Sequence, residues 1–299
     1  MIWVTWRQHR AQAFTCLVLF CLMAALAVGF GIQLRMALRS DGLAGCLARS
    51  GGTGCVATLT SFVDRFARGG AGSTLIGVPL VAIPGLLGAV VGAPLLGREL
   101  ERGTWRLAWS QTVPRTRWLV VKLGLVTGGL VAFGAAVSVV MAWYHEPLDR
   151  VTSRVQPGPY DGGGLTFTAS LLCAFGLAVL AGLLLRNAIA AMVAGYIAWE
   201  IPSTVAILLG GPIRIPAPAV MRIPCRAGCP GISAGSVPPV TGHLGDYVLG
   251  VTRSGGDLVV SYLPASRFWT EQFIQAGVFL MVALVSLGAA VWLLHRRTT

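Results

Sequence analysis

Residues 165–185 read LTFTASLLCAFGLAVLAGLLL, and after Arg186 and Asn187 residues 188–209 read AIAAMVAGYIAWEIPSTVAILL. A helix rising about 1.5 Å per residue needs about 20 apolar residues to cross about 30 Å of hydrocarbon, and each run supplies them. Both are continuous apolar runs rather than short segments of alternating polarity, so they predict membrane-spanning helices and not barrel strands. Four more runs of this kind lie at 14–34, 73–96, 118–144 and 273–294, the second of them holding Pro79 and Pro84. The expectation is an all-α integral membrane protein with six transmembrane helices, a single transmembrane domain over residues 1–299 with a long external loop at 210–270.

Composition points the same way. Of 299 residues, 55% are hydrophobic and only 11% charged, where soluble proteins carry about 25% charged residues. With a mean hydropathy of +0.73, too little polar surface is left to cover a water-soluble body of this size. That excludes a cytosolic enzyme, a disordered regulator and a small disulfide-stapled secreted domain. The formal charge of +12 fits loops facing anionic lipid headgroups, and no nucleic-acid partner is expected.

The density of basic residues sets the topology. Arg7, Arg10, Arg98, Arg102, Arg106, Arg115, Arg117, Arg186, Arg296 and Arg297 crowd into short segments on one side, as on a cytoplasmic face. The other side dilutes its arginines, Arg35 and Arg39 among them, over longer loops. Both termini are therefore expected in the cytoplasm. Trp118 and Trp143 flank the third span and Trp269 and Trp292 the sixth, in the manner of interfacial anchors. The first span imitates a signal peptide but outruns the about 7–15 apolar residues of one, so a retained helix is expected. Ahead of it, Trp3 and Trp6 alternate with Arg7 and Arg10 at roughly helical spacing. This reads as a short amphipathic helix in the headgroup layer, or as a basic flank that only fixes topology.

Cys46 and Cys55 share the first external loop, and Cys225 and Cys229 share the last. Two disulfides are allowed there, outside the reducing cytosol, with four free thiols as the alternative. Cys16, Cys21 and Cys173 fall inside spans. The proline cluster from Pro212 to Pro230 excludes a regular helix in the long loop, and short strands are expected at 237–240 and 258–263.

Chemistry is sparse. His9, His145, His243 and His295 lie outside the spans or at their ends, and neither HExxH nor GxxxxGK[ST] occurs. No catalytic residue, no metal site and no cofactor is expected on this chain. Glu200 is the clear acid at membrane depth, where an ionisable group costs about 2.5–3.5 kcal/mol on insertion scales. Beside Pro202 it is a candidate for a translocation pathway; the alternatives are a neutral, hydrogen-bonded acid or one close to the outer interface. In the loop from Gly97 to Trp118, Leu100, Thr104, Leu107 and Ala108 recur at helical spacing until Pro114. It reads as a docking helix offering Glu99 and Glu101 to a partner while arginines hold the lipid surface, or as a solvated basic loop.

The order of acidic residues, Gly103-Thr104, Pro114, Arg117 and Lys122 resembles the loop between the second and third spans of type-2 ABC exporter permeases. Trp3, Thr5, Trp6, Arg7, Gln8 and His9, and Tyr262, Leu263, Pro264, Ala265, Ser266, Arg267, Phe268 and Trp269, are similar to a branch common in actinomycete bacteria. The resemblance implies a multi-pass permease of a bacterial plasma membrane, without an ATPase site of its own. It would pair with a second permease, the same or a paralogue, and with two copies of an ABC ATPase subunit that carries Mg-ATP. The N-terminal segment would be a connecting helix. Arg98, Glu99, Glu101, Arg102, Gly103 and Thr104 would lie in a coupling helix, and short re-entrant helices would follow the fifth span over 200–218. The implied activity is export of a lipid-like or amphipathic compound, such as a drug or natural product. A non-transporting sensor or assembly subunit and an integral membrane enzyme acting on lipid are the alternatives.

Overall fold

In the computed structural model, which describes residues 2–40, 42, 43, 45, 53–68, 71–102, 115–155, 163–208, 217–224, 246–254 and 256–296, helices form wherever the apolar runs predict them. They are α1 (Ile2–Ser40), α3 (Val78–Arg102), α4 (Arg115–His145), α5 (Gly164–Leu185), α6 (Ala188–Leu208) and α7 (Phe268–Arg296). A shorter helix, α2 (Thr53–Val63), and two π turns at Asp64–Arg68 and Ser73–Gly77 precede α3. Among the described residues five helices are long and apolar enough to cross a membrane, rather than the six expected. The expected span at 188–209 is present as α6, but its described apolar part, Ala188–Pro202, is shorter than the other five.

One further expectation changes. The N-terminal segment is not a separate amphipathic helix: α1 runs unbroken from Ile2 to Ser40. No glycine or proline stands between Trp6 and Phe14, so nothing in the chain would end one helix and start another. The chain is mostly helical, as expected of an all-α membrane protein, and the long loop contributes strands as well. Three antiparallel strands, β1 (Ala219–Pro224), β2 (Tyr247–Ser254) and β3 (Asp257–Leu263), form a sheet in the order β1-β3-β2. Met221 and Val251 both pair with Val260, and a bulge falls between Val248 and Gly250. The expected strand at 258–263 is found within β3, whereas 237–240 lies outside the described residues.

The sheet is tied to the start of α7 through the segment Tyr262–Trp269. Pro264 ends β3, Ala265–Arg267 make a 3-10 turn, and Phe268 opens α7. The Ala265 amide donates to Asp246 Oδ1 at 3.0 Å, and Arg267 Nη1 donates to the Ala217 carbonyl at 2.8 Å.

Helix α5 is the centre of the bundle, in contact with α3, α4, α6 and α7. Phe167, Leu171, Phe175, Val179 and Leu183 are buried along it. Lipid tails are as apolar as these side chains, so no hydrophobic force drives the helices together, and close packing through small residues has to hold them. Gly85, Gly88 and Gly92 recur on one face of α3. A Cβ at Gly88 would stand 2.5 Å from Ala174 Cβ, and one at Gly92 would stand 2.6 Å from the Phe175 carbonyl oxygen. The same closeness recurs where Gly182 of α5 meets the Ala93 carbonyl, where Gly195 of α6 meets Ala178, and where Gly176 of α5 meets Ala283 of α7. The backbones of α3, α5 and α6 therefore touch with almost no side chain between them.

Candidate functional site

Two regions carry polar or open features that the packing alone does not require. The first is the end of α3. Beyond its apolar part this helix continues through Gly97 and Arg98 to Arg102, so the first residues of the expected docking loop extend a spanning helix. Glu101 is exposed, and its Oε2 accepts from the Ala188 amide at 3.4 Å. Ala188 opens α6, so the carboxylate lies at the positive end of that helix dipole, a placement worth about 0.3–1 kcal/mol. One turn back, a Cβ at Gly97 would meet the Ala188 backbone at 3.2 Å.

The connection between α5 and α6 is tight enough to hold this contact in place. Arg186 adopts the left-handed conformation at φ 53° and closes α5 by donating its amide to the Gly182 carbonyl. Asn187 caps α6, its Oδ1 accepting from the Ala190 amide at 2.9 Å. On the other flank, the buried Lys122 of α4 donates from Nζ to the Leu95 carbonyl at 3.2 Å. An ammonium removed from water needs such partners.

The second region is a groove of about 400 Å³ between α1, α3 and α4. Its walls are apolar, including Cys16, Phe20, Val91, Leu130 and Phe133, and Gln12 stands at one edge. Pro94 lies inside α3 and has no amide hydrogen, so the Val90 carbonyl lacks its helical donor. Gln12 Nε2 donates to that carbonyl at 3.3 Å, a link from α1 to α3 across the edge of the groove.

The opposite end of α1 explains the basic residue that follows directly on the first predicted span. Because α1 continues past residue 34, Arg35 lies within it and faces the end of α4. There it donates to the Gly31 and Trp143 carbonyls at 3.2 and 2.6 Å, pairs with Glu146 at 3.2 Å, and stacks 3.9 Å from the Trp143 ring centre. Just beyond, Asp149 pairs with Arg154 at 2.9 Å. Burial raises the Asp149 carboxyl above the usual carboxylate value, outweighing the opposing pull of the Arg154 guanidinium.

The sequence-predicted residues are only partly brought together. Arg98 and Glu101 stand at the end of α3; the side chains of Glu99 and Arg102, and all of Gly103 and Thr104, lie outside the described residues. Trp3, Trp6 and Arg7 fall within α1 but their side chains are likewise outside, while Arg10 is exposed. Cys46, Cys225 and Cys229 and the side chain of Cys55 are outside too, so the disulfide expectation lies outside the described residues; Cys16, Cys21 and Cys173 are free thiols. Glu200 is half-buried on α6. Its neighbour Trp199 packs onto Gly85 of α3 and donates to Ser170 Oγ of α5 at 3.0 Å. Glu200 follows Ile197 by three residues, beside the outward stripe Ile189, Val193, Ile197 and Ile201.

Sequence reasoning missed Gln12 and the pairing of Arg35 with Glu146. Both had a signal. Pro94 in a long apolar run orphans a carbonyl four residues earlier, and an arginine at a span end needs a counter-charge.

A helical bundle packed through glycines, with five helices long and apolar enough to cross a membrane among the described residues, is that of a multi-pass membrane protein. Comparison with known families narrows this. The chain belongs to the ABC-2 membrane transporter related family, whose model matches residues 17–209, well over half of its length. It is thus a transmembrane subunit of ABC-2 type transport, a family that associates with an ABC ATPase. No curated protein and no solved structure matches the chain.

Proposed function

We propose that the chain is the permease subunit of an ABC exporter in a bacterial plasma membrane, moving a lipid-like or amphipathic compound outward with ATP hydrolysed by two copies of a separate subunit. Both termini and the end of α3 face the cytoplasm, and Arg98–Thr104 rest on the ATPase. The observation that carries this reading is the seating of Glu101 at the start of α6. A push on the end of α3 reaches α6 through that contact and reaches α5 through the glycine-packed interface, so the ATPase stroke moves three helices together.

A second permease covers the outward face of α6. Its stripe of Ile189, Val193, Ile197 and Ile201 would otherwise face lipid with Glu200 alongside, where a charge is costly. Between two subunits the carboxylate borders the path of the substrate.

The test is co-purification and turnover. Tagged protein should bring down a nucleotide-binding subunit whose ATP hydrolysis rises with substrate. Glu99→Lys with Glu101→Lys should lower that stimulation while leaving the permease in the membrane. A binding partner that hydrolyses ATP without any substrate dependence would favour a sensor or assembly role instead. No bound ATPase at all, together with an inert double variant, would end the permease reading.

A further inference from the structure

The groove between α1, α3 and α4 lies at one level of the membrane. Gln12, Cys16 and Phe20 stand near the start of the α1 span Arg10–Ser40, Leu125 and Leu130 are in the first half of the α4 span Val120–His145 with Phe133 at its middle, and Val91 is in the second half of Thr74–Arg98. All three walls therefore belong to the leaflet at the Arg10 end. The volume of about 400 Å³ is that of a ligand site, which runs from about 300 to 1,000 Å³ and is mostly apolar with few polar groups. Arg10 precedes Ala13 and Leu17, two lining residues, by three and seven positions, and so shares their stripe of the helix. Its side chain is exposed. The groove thus has an apolar body within one leaflet and a guanidinium at its headgroup end.

We propose that this groove holds an acyl chain of a resident anionic phospholipid, with Arg10 on the phosphate. A single chain in hydrocarbon-like walls gains little over bulk lipid, since both environments are apolar. Residence comes from the shape of the groove and from the charge pairing at its end, where the negative surface potential of anionic lipid attracts basic residues. The site does not depend on the transport reading.

Two glycines make the test sharp. Gly129 lines the groove, and a Cβ there would meet nothing within 4 Å, so a larger side chain enters the open volume without striking the backbone. The adjacent Gly128 is equally open but lies outside the lining. Full-length protein is reconstituted in phosphatidylcholine vesicles with a trace of phosphatidylglycerol carrying a photoactivatable acyl chain, illuminated, and mapped by peptide mass spectrometry. Crosslinks should concentrate on residues 12–20 and 125–133. They should fall about tenfold in Gly129→Phe, the loss that matches about 1.4 kcal/mol of binding, and persist in Gly128→Phe. Ala13→Phe, which fills the groove from the α1 wall, serves as the second variant, and labelling of the lipid-facing surface of α7 reports on folding. Arg10→Gln should abolish the preference for phosphatidylglycerol over an equivalent phosphatidylcholine probe. Labelling no denser in the groove than on α7, or undiminished in both filling variants, overturns the site. Equal labelling by the two lipids in the unaltered protein, or a stoichiometric compound other than phospholipid extracted with it, overturns the assigned occupant.

Discussion

Gly92→Ala adds one methyl group where α3 meets α5, and two effects of opposite sign decide its outcome. Alanine is the better helix former by about 0.8–1.0 kcal/mol, which favours the variant. Against this, the new Cβ would stand 2.6 Å from the Phe175 carbonyl oxygen and 3.1 Å from Ala178 Cβ. The first neighbour is backbone and cannot rotate away, so the helices must separate, and overpacking of this kind costs about 1–3 kcal/mol. The packing term wins. Gly128→Ala is the matched control, since it receives the same propensity gain with nothing within 4 Å of its Cβ. A thiol-reactive fluorophore offers the assay. With the other cysteines replaced by alanine, Cys173 on α5, buried at 4% exposure, is the thiol that reacts once α5 loses its neighbours. At about 2–4 °C per kcal/mol for a large domain, Gly92→Ala should melt several degrees below the parent protein and Gly128→Ala at or slightly above it. Equal melting of the two variants would refute close backbone contact between α3 and α5.

Three further outcomes follow from the same geometry. The two ring nitrogens of His145 are buried without a hydrogen-bond partner among the described residues, and the ring lies edge-on to Tyr144 at 4.9 Å. His145→Phe keeps that contact and removes the unsatisfied groups, so it should stabilise the protein by about 1–3 kcal/mol at most, read as a higher melting temperature. Glu146→Gln weakens the link from α1 to α4 at Arg35; with both side chains partly exposed the loss should be about 1 kcal/mol or less and should shrink further in high salt, as salt-series melting would show. The raised Asp149 carboxyl gives a signed pH effect. Its stabilising contribution is fully present below the ordinary value of 3.8 and is lost as pH rises through the raised one. The melting difference between parent and Asp149→Asn should therefore shift against the parent as pH climbs through that window, and a pH-independent difference would count against it.

The helices were legible because a bilayer imposes length and apolarity on each of them separately, and both can be counted along the chain. What escaped was set by neighbours. The unbroken α1 depends on the absence of a breaker between Trp6 and Phe14, which had been outweighed by the change from a basic to an apolar run. The strands β1 and β2 were obscured by the prolines around them, although Ser254 to Asp257 carries the paired glycines of a hairpin turn, and Gly256 takes the positive φ of 89° that such a turn needs. At the candidate site, Glu101 was picked out by its charge and its place in a loop. Its contact is with the first residue of α6, 87 positions away, and no local pattern encodes that. The same holds for Gln12, an ordinary residue until Pro94 frees a carbonyl across the groove.

These contacts also determine where the bundle can yield under the proposed coupling. A displacement applied to the end of α3 has little to absorb it toward α5 and α6, because glycine and alanine at the interface leave no flexible side chain between the backbones. The two-residue turn at Arg186 and Asn187, with its left-handed cap, makes α5 and α6 follow one another. Toward α1 the packing is different in kind. There the open groove intervenes, and Gln12 crosses its edge by a neutral hydrogen bond worth about 1 kcal/mol, while Arg35 holds the far end of α1 to α4. Under the proposed coupling, motion of α3 relative to α1 would be opposed beside the groove by the Gln12 hydrogen bond. The groove is the volume that such a motion would widen or close, so under the proposed coupling its occupancy and the stroke of α3 would be energetically linked: a chain that fits only one width would favour the position of α3 that provides it.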